Sequence, residues 1–261
     1  MNIYMDSHVG LIRANNEDSS RVIKLSEDAS ILIVADGMGG HKKGEVASGL
    51  AIEHLGKYFQ ENKGYFINYL SATKQNEFYE NRILEEIKKA VNYANDVIAE
   101  MSSQEEYKMM GTTVVLAVLY RDKMYVANVG DSRCYYLKSN NGEGQLHMVT
   151  RDNSLVQELM HMGEITQEEA EVHPQKNVIT RAVGIDHTVR VDTYTVNLMK
   201  DDIVLLCSDG LTGMVRDKEI EKILKEGTTI EEKGKKLIER AIKNGGKDNI
   251  TIICAEIDEV K

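Results

Sequence analysis

ILIVADGMGGH, Ile31 to His41, sets the reading of the chain: five apolar residues, an aspartate, three glycines within four positions, and a histidine. The run Ile31–Ala35 has the length and β-branched content of a buried strand. A strand ending on Asp36 presents a carboxylate at a sheet edge, facing a cleft. Gly37, Gly39 and Gly40 allow the backbone to turn and approach a ligand closely. One carboxylate beside such a backbone suits a metal, a phosphate or a plain turn equally well.

Working outward, Glu45–Phe59 carries apolar residues at helical spacing (Val46, Ala47, Leu50, Ala51, Leu55, Tyr58, Phe59), and a second such stripe runs from about Glu80 to Met101. Residues 1–30 read as a polar, strand-prone lead-in, and 60–79 as a loop or frayed helix end. Strands are predicted at Thr112–Tyr120, Met124–Val129, Arg133–Lys138 and Gln145–Val149, the last two separated by the turn Asn140–Gly144. Strands joined by tight turns form an antiparallel meander. Residues 151–180 are irregular, with helical stretches at Val156–Met162 and Gln167–Glu171, and hold the only proline, Pro174. Such an insertion reads as a functional loop. Strands return at Thr188–Asn197 and Asp202–Cys207, helices follow at Asp217–Lys225 and Thr229–Lys243, and Ile250–Glu256 closes the chain as a strand. The pattern predicts an α+β fold: a four-layer α-β-β-α sandwich, two antiparallel sheets flanked by helix pairs. With no linker and no internal repeat, residues 1–261 read as a single domain.

Composition narrows the function. A formal charge of −10, with 42% hydrophobic and 28% charged residues, describes an ordinary soluble protein and argues against nucleic acid or an anionic membrane as partner. The apolar runs are too short to span a bilayer, and the N-terminus has no signal-peptide pattern, so no membrane anchor and a cytoplasmic location are expected. Cys134, Cys207 and Cys254 are widely spaced, lie in apolar runs and read as core residues of a reducing compartment.

Three strand ends repeat one design: Asp36 after ILIV, Asp209 after IVLLC, and Asp248 just before ITIIC, each near glycine or asparagine. Any one alone is ordinary turn chemistry. Together with Glu17–Asp18 and Gly130–Asp131 they outgrow that explanation. Two carboxylates at about 4 Å repel by about 4 kcal/mol at an effective dielectric of about 20. A cluster of them persists only if its members bind protons or cations. All-oxygen ligands select hard ions, Mg²⁺ or Mn²⁺.

Taken as a set, RANNED (Arg13–Asp18), DGMGGH (Asp36–His41), GTT (Gly111–Thr113), GDSR (Gly130–Arg133), SDGL (Ser208–Leu211) and GKDNIT (Gly246–Thr251) resemble the motifs of the metal-dependent protein serine/threonine phosphatases, type 2C, in the family's order and along nearly the whole chain. DGMGGH with HPQKNVITRAVG (173–184) is similar to the bacterial branch. The resemblance implies hydrolysis of phosphoserine and phosphothreonine at a centre of two or three Mg²⁺ or Mn²⁺ ions. Asp36 would bridge two metals, the Gly37 carbonyl would bind one, and Asp209 and Asp248 would complete the other. Glu17 and Asp18 would act largely through metal-bound waters, Asp131 with Asp209 would hold a third metal, and Arg13 would grip the phosphate with its planar fork. The attacking water would be activated between the metals, with no covalent intermediate.

Two residues depart from the family's pattern. Met38 stands where many eukaryotic members carry a histidine, which leaves a metal-bound water, rather than His41, as the expected proton donor. Asn153 stands where bacterial members usually have histidine, at the base of the 151–180 flap. The resemblance implies phosphoproteins as partners, including a serine/threonine kinase and its substrates; the default expectation is a monomer. A nucleotide loop at Asp36–Gly40 fails on spacing, because a GxGxxG pattern would require glycine at Lys42. A catalytically silent scaffold of the same fold is the rival that only an assay separates.

Overall fold

A computed structural model describes residues 1–39, 43–72, 77–139, 144–226 and 228–258. His41 and most of the Asn140–Gly144 turn lie outside the described residues. The first sheet has the order β1-β11-β10-β7-β8, built from β1 (Asn2–His8), β7 (Arg133–Leu137), β8 (Leu146–Met148), β10 (Ile203–Cys207) and β11 (Ile250–Glu256). The second runs β2-β3-β5-β6-β9, from β2 (Asp18–Lys24), β3 (Ala29–Met38), β5 (Val114–Tyr120), β6 (Lys123–Val129) and β9 (Asp192–Asn197); the two-residue β4 (Gly111–Thr112) also pairs with β3. Among the described residues every strand pair is antiparallel.

Helices α1 (Lys43–Glu61), α2 (Lys63–Leu70) and α3 (Glu77–Ser102) cover the second sheet. The short α4 (Leu155–Met162), α5 (Gln167–Val172) and α6 (Asp209–Thr212) lie between strands; α7 (Asp217–Glu226) and α8 (Ile230–Lys243) cover the first sheet. Four layers require three buried interfaces, and the core divides accordingly. Ile31, Ile33 and Ala35 of β3 pack under Ala47, Ala51 and Leu55 of α1 and Ile87, Val91 and Ala94 of α3. The alternate residues Leu32 and Val34 meet Val204 and Leu206 of β10 and Ile253 and Ala255 of β11, between the sheets. Cys207, Leu205, Ile252 and Cys254 face Leu224, Leu237 and Ile238 on the far side. Side chains alternate across a strand, so a strand with cover on both faces must be apolar at every position. That is why ILIV and IVLLC are continuous runs. All three cysteines are free and buried, as core residues should be.

The predicted four-layer sandwich is therefore present, with local corrections. Residues 63–70 form a helix rather than a loop, because Phe66 and Leu70, four positions apart, dock on the core beside Phe59. The predicted strand Thr112–Tyr120 is interrupted at Thr113, whose N–H donates to the Asp36 carbonyl at 2.8 Å. The strand predicted from Thr188 begins only at Asp192.

Candidate metal centre

The mouth of the sandwich is where β3 ends, and five of the aspartates singled out from sequence meet there. Asp18 and Asp36 are direct partners in the β2–β3 register, so two carboxylates oppose each other across adjacent strands. Like charges so placed destabilise a sheet. Asp209 opens α6, and its charge acts on the Asp36 carboxyl. Asp248 precedes β11, and Asp131 follows Gly130 in the turn between β6 and β7.

Burial, reinforced by Asp18, Asp209, Asp131 and Asp248, pushes the Asp36 carboxyl well above the usual carboxylate range. Burial raises Asp18 to about 7, against hydrogen bonds from Thr251 and Ser208 and with Asp209 and Asp248 adding to the rise. Asp131 reaches about 8 through burial and the charges of Asp209 and Asp152, and Asp209 about 6 through burial and Asp248. Asp18 is 9% exposed; its Oδ2 accepts from Ser208 Oγ at 2.8 Å, while its Oδ1 is buried without a hydrogen-bond partner among the described residues. An orphaned carboxylate oxygen inside a cluster of raised acids fits a site for hard divalent cations. Among the described residues no three His, Cys, Asp or Glu side chains form a ready cage, so a six-oxygen shell would need the Gly37 carbonyl and water as well.

Gly37 is required by close packing. Its N–H donates to the Glu17 carbonyl at 3.1 Å, and a Cβ on it would lie 2.0 Å from the Gly44 carbonyl oxygen. Gly44, at the start of α1, is equally constrained: its own Cβ would lie 2.8 Å from the Gly37 carbonyl and 2.9 Å from the Glu17 Cδ. The two glycines let α1 cross directly over the end of β3, with the Glu17 carboxyl beside them. Ser48 Oγ fastens this crossing by donating to the Glu17 carbonyl at 2.6 Å.

Arg13 Nη2 donates to Asp248 Oδ2 at 2.7 Å. The guanidinium thus stands at the rim of the carboxylate cluster with half of its side chain exposed. Asn153 is buried and fully used. Its Oδ1 accepts from Gly130 N–H, its Nδ2 donates to Asp192 Oδ2, and its backbone pairs with Gly130 and Thr180. It ties the neck of the 151–180 flap to the turn that carries Asp131. Asp152 beside it forms a bidentate pair with Arg133 at 2.7 and 2.9 Å.

Sequence reasoning quoted the motifs but overlooked several residues that hold them. Thr113 Oγ1 accepts from Asp36 N–H at 3.0 Å and meets Ser132 Oγ at 2.7 Å. Ser208 and Thr251 support Asp18. Asn249 bonds to three backbone groups of the loop before β2. Each of these lies inside a quoted motif, so the signal was there; which group each would reach is a matter of tertiary contact.

Comparisons with known proteins agree with this picture. The family model described as Protein phosphatase 2C matches residues 12–247. The serine/threonine phosphatase stp of Listeria monocytogenes is 39% identical over 249 residues, covering 95% of this chain and 93% of its own. The solved serine/threonine phosphatase of S. agalactiae superposes with a TM-score of 0.84 at 32% identity, covering 98% of this chain and 99% of its own. The catalytic domain of the serine threonine protein phosphatase PstP, solved with two manganese ions, gives a TM-score of 0.80 at 32% identity, covering 99% and 98%. These findings define the class first: the chain is a protein serine/threonine phosphatase. It belongs to the protein phosphatase 2C family.

Proposed function

We propose that the carboxylate cluster holds two or three divalent ions, Mg²⁺ or Mn²⁺, and that the enzyme uses them to hydrolyse phosphoserine and phosphothreonine esters of proteins. The observation that carries this reading is the opposition of Asp18 and Asp36 across β2 and β3, with the charge of Asp209 acting on Asp36 and one Asp18 oxygen unpartnered among the described residues. The manganese-bound relative is consistent with it. Asp36 would bridge two ions, with the Gly37 carbonyl serving one and Asp209 and Asp248 the other. Asp18 and Glu17 would hold coordinated water, and Asp131 with Asp209 a third ion.

When bound, such ions polarise water into a nucleophile at neutral pH and offset charge on the phosphoryl oxygens. The protein's own contribution is placement. The Gly37–Gly44 crossing brings backbone oxygen to the cluster, and Arg13 stands where its fork can grip two phosphoryl oxygens of the bound substrate. Raised carboxyl pKa values mean that cation binding displaces protons from the cluster.

The physiological substrates are taken to be phosphoproteins, including a serine/threonine kinase and its targets, and the enzyme is read as one cytoplasmic domain acting as a monomer. Among the described residues no helix is long and apolar enough to cross a membrane. The test is hydrolysis of an aryl phosphate and of phosphoserine and phosphothreonine peptides. Turnover should require Mn²⁺ or Mg²⁺, vanish with chelator, and fall by about a thousandfold or more in Asp209→Asn, as expected when a transition-state charge partner is removed. Metal binding without turnover in the wild type would instead mark a silent scaffold.

A further inference from the structure

The loop Val9–Glu17 carries two residues of the proposed site, Arg13 and Glu17, yet has no regular structure between β1 and β2. Its geometry must come from elsewhere. Asn249, only 4% exposed at the start of β11, uses its whole side-chain amide on this loop. Oδ1 accepts from Glu17 N–H at 2.8 Å, and Nδ2 donates to the carbonyls of Val9 and Asn15, both at 2.9 Å. The three contacts tie down both ends of the loop, with Arg13 between them in sequence. The same strand start presses on the loop by backbone contact: Leu11 N–H donates to Gly246 O at 2.7 Å, and a Cβ on Gly10 would lie 2.3 Å from Asp248 O. Gly10 has φ +83°, a conformation that favours glycine.

We infer that Asn249 is the positioning residue of the phosphate-binding loop: it fixes Arg13 and Glu17 relative to Asp248, its neighbour in sequence, and so couples the phosphate grip to the metal side of the cleft. This rests on the reading of Arg13 as the phosphate-binding group. Asn249 touches neither phosphate nor metal in this assignment; it acts through the loop. An aspartate would keep the acceptor for Glu17 but could not donate to two carbonyls, and a serine could not span them.

The experiment is a double-mutant cycle on the Mn²⁺-loaded enzyme with an aryl phosphate as substrate and inorganic phosphate as competitor. Asn249→Ala should raise KM and the phosphate inhibition constant about tenfold or more, because small misplacements of a gripping group weaken binding steeply. The same change in an Arg13→Ala background should alter either constant by no more than about twofold, since residues acting through one another are not additive. Hydrogen exchange supplies a readout independent of turnover. The Glu17 amide should lose protection in Asn249→Ala, with or without chelator, while the β3 amides keep theirs. Full additivity in the cycle, a fall in kcat with KM unchanged, or a Glu17 amide as slow as in wild type would each overturn the proposal. Arg13→Ala alone, if it left KM unchanged, would instead sink the reading of Arg13. Should Asn249→Ala fail to fold, Asn249→Asp takes its place. It should raise the phosphate inhibition constant non-additively with Arg13→Ala while the Glu17 amide stays slow, and additive behaviour there would reject the inference.

Discussion

At the scale of single residues, the cleft owes its character to carboxyl groups held too close together for their own comfort in water-poor surroundings. Asp36 is the centre of that conflict, with four other aspartates raising its proton affinity. His41 is the contrasting case. It is titratable and stands five positions after Asp36 in sequence, and it lies outside the described residues. His41→Ala should leave turnover of an activated aryl phosphate within about threefold of wild type, whereas loss of a general acid costs about a hundred- to ten-thousandfold. A kcat measurement near pH 7 decides between the two. The site residues were legible one at a time because Asp–Gly at the mouth of an apolar run is a local pattern. The pairing of Asp18 with Asp36 was not, since it depends on the β2–β3 register. Nor was the Arg13–Asp248 contact, which joins positions 235 apart in sequence.

At the scale of elements, continuous apolar runs identified the inner strands correctly, because burial on both faces leaves no polar alternation to read. Short elements resisted. α2 is eight residues long, and only the presence of a core beside it makes Phe66 and Leu70 an anchoring pair. α6 is a single turn whose sequence, DGLT, reads locally as a turn. The flap combines both problems: α5 announces itself through a capping box between Thr166 and Glu169, whereas the neck depends on Leu155 N–H meeting Val178 O and Thr180 N–H meeting Asn153 O. That neck makes residues 156–177 an excursion closed at its base. Replacing this excursion with that of another family member, the neck retained, should therefore change the ranking of phosphopeptide substrates while leaving kcat on an aryl phosphate within about threefold, as expected for loops that set specificity on a fixed scaffold. An unchanged peptide ranking would remove the flap from substrate selection.

At the scale of the whole molecule, the two sheets converge on the cluster, Asp18 and Asp36 coming from one and Asp209 and Asp248 from the ends of strands in the other. Folding therefore forces the carboxylates together, and the metal-free protein bears that repulsion globally. The sign follows from the raised acids. Asp209 at about 6, Asp18 at about 7 and Asp131 at about 8 bind protons more tightly when folded than at the unfolded value of 3.8. Their contribution to stability is fully present below 3.8 and is lost as pH rises through 6 to 8. Divalent ions compete with those same protons, so their stabilising effect must grow over the same interval. The measurable quantity is the gap in Tm between Mn²⁺-loaded and chelated protein at fixed free metal, which cancels titrating groups elsewhere on the surface. That gap should widen steadily from pH 5.5 to pH 8, by about 2–4 °C for each kcal/mol of added metal stabilisation in a domain of this size. Asp36→Asn should shrink the gap at every pH and at the same time raise the Tm of the chelated protein at pH 8, since it removes a carboxyl whose ionised form the folded cluster disfavours without removing volume. A gap independent of pH, or a chelated Asp36→Asn protein less stable than wild type at pH 8, would mean that the carboxylates are held together by something other than the cations assigned to them.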